Sequence, residues 1–108
     1  MEERIKVTIN LNDSNYKLLD KPKQIENLLY DYYNKHKNFD LIKDLDFDLK
    51  GYENFDFDFK NNTRMTINQK LWLLLKKYIR DIDSCQKSKQ YQSDIYINVL
   101  LYNFFKQP

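Results

Sequence analysis

The chain has 108 residues, a net charge of +2, one cysteine, one glycine, no alanine, and seventeen aromatic rings, nine of them tyrosines. That length suits a single domain (1–108) that hides roughly two-thirds of its unfolded surface, with large rings supplying much of the core. The lone Cys85 has no partner for an internal bridge, and neither a membrane-length apolar run nor a cleavable leader is present, so a cytoplasmic protein without disulfides or membrane contact is expected.

Arg4 to Leu11 alternates strictly. Ile5, Val7, Ile9 and Leu11 fall on one face and Arg4, Lys6, Thr8 and Asn10 on the other, which predicts a strand over 4–11. Asn12, Asp13 or Ser14 can cap a short helix over 14–20 carrying Tyr16, Leu18 and Leu19. Pro22 fits the first turn of a next helix. Ile25, Leu28, Leu29, Tyr32 and Tyr33 recur at helical spacing and predict that helix over 23–36. His36 sits at its end, where a ring that can carry charge suits the last carbonyls.

The middle of the chain changes period. Leu45 to Leu49 and Phe55 to Phe59 each alternate an apolar residue with aspartate, and Gly51 lies between them. This predicts an acidic hairpin within 38–61, its strands at 45–49 and 55–59, one face collecting Asp46, Asp48, Asp56 and Asp58. Alternation resumes over 63–68, with Arg64, Thr66 and Asn68 on the polar side. Leu71, Leu74, Leu75, Tyr78, Ile79 and Ile82 then trace a helical stripe over 70–83. Residues 84–92 read as a polar loop, and Ser93 or Asp94 as the cap of a last helix over 93–106. That helix is apolar nearly all round, so it is either central to the fold or buried in an oligomer.

Charge is unevenly placed: +1 over residues 1–37, −4 over 38–60 and +5 over 61–108. A basic part beside an acidic one suits a protein with one anion-binding surface. Catalysis is not expected. One histidine and one cysteine make no zinc set, one glycine makes no phosphate loop, and Cys85 lacks an evident base. No cofactor or metal is implied; the four aspartates read more simply as a solvated face than as a calcium site.

Two echoes organise the chain. Lys6-Val7-Thr8-Ile9-Asn10 is matched by Arg64-Met65-Thr66-Ile67-Asn68, and the nine residues Ile25–Tyr33 by Ile97–Phe105, with four identities. The fold expected is therefore α+β: short antiparallel strands, a ribbon plus the acidic hairpin, packed on about four helices. Its strand-helix-helix units are 4–36 and 62–106, with the hairpin inserted. The B-DNA major groove admits a two-stranded ribbon. Lys6, Thr8 and Asn10 with Arg64, Thr66 and Asn68 supply charged, hydroxyl and amide groups twice in the same order. Arg4 shares their face, and Lys21 and Lys23 add charge for phosphates.

This arrangement resembles the ribbon-helix-helix family of DNA-binding proteins, and two units in one chain look like its tandem members. The resemblance covers about residues 4–36 and 62–106. It implies a ribbon of two paired strands reading duplex DNA, usually in a dimer. Only 14 residues separate Asn10 from Ile25 against 28 between Asn68 and Ile97, so the first helix is expected to be cramped and one unit to be degenerate and structural only. The expectation is a sequence-specific regulator of a plasmid or phage, in keeping with the AT-rich codon usage that the composition suggests. The alternative is a small mobile-element inhibitor, anti-CRISPR-like or another nucleic-acid mimic, whose Asp46/Asp48/Asp56/Asp58 face occupies a host nuclease or other protein. A homodimer through the last helix is a third reading.

Overall fold

A computed structural model describes the backbone of residues 3–41, 55–82 and 89–106, and the side chains of all of these but 89–91. The elements run β1 (Arg4–Leu11), α1 (Asp13–Leu18), α2 (Lys23–His36), β2 (Asn61–Asn68), α3 (Gln69–Asp81) and α4 (Lys89–Lys106). The order is strand-helix-helix twice over. The two strands form an antiparallel sheet in which Lys6 faces Thr66, Val7 faces Met65 and Thr8 faces Arg64. The sequence echo relates each β1 residue to the one 58 positions later, so the local two-fold of the pairing falls on Val7 and Met65. Around that axis Lys6 exchanges with Arg64, and Thr8 with Thr66.

Alternation dictates which face is covered. Ile9, Leu11 and Ile67 are fully buried under the helices, with Ile5, Val7 and Met65 packed against the same core. The last helix is the centre of the molecule: every residue from Gln92 to Leu101 is buried. That resolves the choice left by its all-round apolarity in favour of an interior position. Phe39, turned inward just after α2, meets the edge of Tyr96 at 6.2 Å. His36 packs its ring on Tyr32, one turn back, at 4.2 Å.

Each unit's first helix opens on an asparagine that serves as N-cap. The Asn12 side chain accepts from the Asn15 N–H at 2.8 Å, and the Asn68 side chain from the Leu71 N–H at 3.0 Å. The backbone N–H groups of these two asparagines are bonded across the units. Asn12 N donates to Asn98 Oδ1 at 2.9 Å, and Asn68 N donates to Glu26 Oε2 at 2.7 Å. Glu26 and Asn98 occupy matching places in the nine-residue echo. So the second helix of each unit holds the strand-to-helix corner of the other, and the two halves are interlocked.

Several expectations are corrected. Residues 55–60 belong to no strand; Phe55 is buried and Phe57 and Phe59 pack on the core, while the Asp56 carbonyl accepts from Asn12 Nδ2 at 2.9 Å. The segment alternates faces without joining a ladder. The other arm, 45–49, with Asp46, Asp48 and Gly51, lies outside the described residues, as does Cys85. Ser93 and Asp94 do not cap α4, which begins at Lys89; both are buried inside it, and residues 89–92 are helical, not loop. In α1 the apolar side chains point the wrong way for a core face: Tyr16 is 50% exposed and Leu18 58%, whereas Asn15 is buried. The Asn15 carboxamide donates to Asn98 Oδ1 and to its carbonyl, both at 3.0 Å.

Lys37 ends α2 in the left-handed region (φ 57°), its N–H returning to the Tyr33 carbonyl. A Cβ makes that conformation costly, and glycine relieves it. Lys37→Gly should raise stability by about 1 kcal/mol in urea unfolding. By contrast, Asn98→Leu strands the Asn12 N–H and the Asn10 carbonyl, which now accepts from Asn98 Nδ2 at 2.9 Å. It should cost about 3 kcal/mol, while Leu18→Ser on the exposed side of α1 stays within about 0.5 kcal/mol.

Candidate nucleic-acid interface

The outward face of the ribbon is set by parity. Counting every second residue from Arg4 and from Asn62 gives the solvent side of both strands. There Arg4, Lys6 and Thr8 of β1 and Asn62, Arg64 and Thr66 of β2 are exposed. The cross-strand pairs at the centre are Lys6 with Thr66 and Thr8 with Arg64, so each cation stands opposite a threonine and diagonal to the other cation. This spacing keeps the two positive charges from facing each other directly, which would be unfavourable. A ribbon of two strands about 4.8 Å apart is narrower than a major groove about 12 Å wide.

Arg4 is committed differently from Lys6 and Arg64. Its guanidinium donates to both oxygens of Glu26, at 2.8 and 3.2 Å, and to the Thr66 carbonyl at 3.0 Å. Burial works against the charge on Glu26, but the Arg4 hydrogen bond and the Asn68 N–H outweigh it and hold the carboxyl below its ordinary value. One carboxylate thus bonds the outer face of the ribbon and the corner at which β2 becomes α3.

Asn10 and Asn68, expected as outward readers, are corrected by the same logic. Both lie where the strands hand over to helices. Asp94 takes the Asn10 N–H and its Nδ2, each at 3.0 Å, and Asn68 is buried as the cap of α3. The ribbon therefore offers one central quartet, Lys6, Thr8, Arg64 and Thr66. Lys21 and Lys23 are exposed where α1 passes into α2. A cleft of about 450 Å³ joins that turn, through Asp20 and Pro22, to Asn62 and Arg64. Asn62 shares the outer face, although in the sequence it passes for punctuation before the strand; its parity with Arg64 and Thr66 is the signal that identifies it.

Asp56 and Asp58 are exposed, but local bonds engage them: Asp56 Oδ1 accepts the Asp58 N–H at 2.9 Å, and Asp58 lies 3.9 Å from Lys60. Among the described residues no group of three or more His, Cys, Asp or Glu could hold a metal ion, and no helix is long and apolar enough to cross a membrane. No protein-family model, curated protein or solved structure matches the chain.

The Glu26 carboxyl has a folded-state value below its unfolded one. Its stabilisation is complete above the ordinary value of 4.5 and is lost as pH falls through the folded value. Thermal unfolding followed from about pH 6 to about pH 3 should show a decline that Glu26→Gln makes shallower. An identical slope in both proteins would mean that other carboxylates carry the acid sensitivity.

Proposed function

We propose that the chain is a sequence-specific DNA-binding regulator, of plasmid or phage type, that lays its two-stranded ribbon in the major groove. The observation that supports this reading is the register. Two copies of one polar pattern, far apart in sequence, lie side by side and outward around a local two-fold. The tandem ribbon-helix-helix resemblance proposes that same arrangement, one polypeptide building both halves of the reading element.

In this reading Lys6 and Arg64 are the long donors. Arg64 presents a planar fork suited to guanine O6 and N7 or to a phosphate, and Lys6 a point charge. Thr8 and Thr66 offer hydroxyls, that of Thr66 already accepting from Arg4 Nε at 3.3 Å, and methyls that suit the thymine methyl group. Arg4, tied to Glu26, supplies a fixed positive edge instead of a mobile reader. Lys21 and Lys23 lie beside the ribbon, where flanking phosphates pass. No chemistry on the DNA is required of any residue.

Selection from a random duplex pool, followed by titration of the recovered sequence at several salt concentrations, tests the proposal. Removing both central cations (Lys6→Gln with Arg64→Gln) should weaken binding. It should also reduce the slope of log affinity against log salt by roughly 2, near 0.9 for each phosphate that is no longer neutralised. Thr8→Ala with Thr66→Ala should leave the slope nearly unchanged and relax the sequence preference. A pool that yields no preferred sequence, or a charge variant that binds like the parent, would sink the ribbon reading.

A further inference from the structure

One of the differences between the two interlocked units marks a second site. In the first unit, the corner formed by the start of α1 and the side of α4 is filled by residues 55–60 of the same chain. Phe55 sets its ring edge-on to Tyr102 at 5.4 Å, the Asp56 carbonyl accepts from Asn12 Nδ2, and Lys60 pairs with Asp13 at 3.3 Å. The matching corner of the second unit lies between the start of α3 and the side of α2. Among the described residues it is a groove of about 950 Å³.

Its walls share several positions with the filled corner. Tyr30 matches Tyr102 and Tyr33 matches Phe105 in the nine-residue echo, and Asn68 matches Asn12 as the helix cap. All three line the groove, together with Leu73 and Leu74 of α3. Leu73 is 55% exposed, a large apolar side chain left to water. Asn12 commits its Nδ2 to a peptide carbonyl of the filling segment, and among the described residues Asn68 Nδ2 has no such acceptor. Lys70 and Arg80 stand at the two ends of the α3 wall, exposed.

The geometry points to this groove as a docking site for an extended peptide of a partner protein in which aromatic and acidic residues alternate. The filled corner is the template: it takes Phe-Asp-Phe-Asp-Phe, rings inward and carboxylates outward. Five extended residues span about 16 Å, and the helix from Lys70 to Arg80 rises about 15 Å. The bound strand brings its carboxylates along a rim with cations at both ends. Aromatic rings cover Tyr30, Tyr33 and Leu73, and a peptide carbonyl reaches Asn68 Nδ2. None of the outward quartet Lys6, Thr8, Arg64 and Thr66 lines this groove, and the site stands whether or not the DNA reading holds.

The probe is a fluorescent peptide of sequence Asn-Phe-Asp-Phe-Asp-Phe-Lys, titrated into the whole protein by anisotropy, with amide shifts read in parallel. Saturable binding with shifts confined to Tyr30–Asn34 and Asn68–Arg80 is expected. Leu73→Glu with Arg80→Glu should weaken it at least about tenfold without changing the melting temperature, since both side chains are exposed. A peptide with Asn in place of Asp should also bind more weakly. No binding, unaltered binding to the double variant, or shifts centred on Tyr102 would overturn the proposal. So would shifts at the groove produced by duplex DNA and not by the peptide.

Discussion

The fold depends on two hydrogen bonds that cross between its halves. A helix that starts at a strand end leaves a corner whose backbone N–H groups need acceptors in a place water cannot reach. Here Asn98 Oδ1 takes the Asn12 N–H and Glu26 Oε2 takes that of Asn68. Among the described residues, each of these acceptors comes from the other unit. Separating the halves would expose apolar surface and also strand two buried donors, so the strands are kept adjacent by polar specificity as well as by hydrophobic burial. Fixing both corners fixes the register between them, and with it the pairing of Lys6 with Thr66 and of Thr8 with Arg64.

This construction explains why the interior of α4 is so polar for a central helix. Asp94 and Asn98 are buried one turn apart on the same side, and together they bond the Asn10 N–H, its side-chain amide, its carbonyl and the Asn12 N–H. Lys76 reaches the buried Ser93 Oγ at 2.6 Å from the neighbouring helix. Each of these groups would be a liability alone, and the bonded atoms satisfy one another, while Asn10 Oδ1 and the Tyr96 hydroxyl are buried with no hydrogen-bond partner among the described residues. What is left for the outside of the ribbon is the set that the corners do not consume. That is why the outward quartet is smaller than the polar face of the strands.

The parts legible in the sequence are those governed by local periodicity. Val7, Ile9 and Ile67 alternate with polar neighbours, so alternation locates β1 to its end residues and β2 to within two. Lys23–His36 is bounded by Pro22 and carries a clean stripe. What periodicity reports is which side of a segment is apolar, not where its backbone bonds go. Residues 55–59 therefore look like half of a hairpin when their rings fill a corner instead. Side chains that cap a helix are also the ones that accept bonds in a core, so Ser93 and Asp94 read as a helix start when they lie inside one. The outward parity of Asn10 and Asn68 is right for a continuing strand, but the Asn10 side chain is taken up by Asp94 and Asn68 ends β2 as the cap of α3. Tyr16 and Leu18 mislead for a related reason: Asn15 is turned inward by Asn98, and the apolar side chains of so short a helix follow the backbone outward.

The α4 residues that bond Asn10 and Asn12, at the end of β1, lie 84 to 88 positions further along the chain. During synthesis the first strand therefore emerges long before the helix that completes its corner. Loop closure over such a separation is slow compared with local helix formation, so α2 can form early while β1 waits. Until Asp94 and Asn98 leave the ribosome, Ile9 and Leu11 lack the part of their cover that α4 supplies.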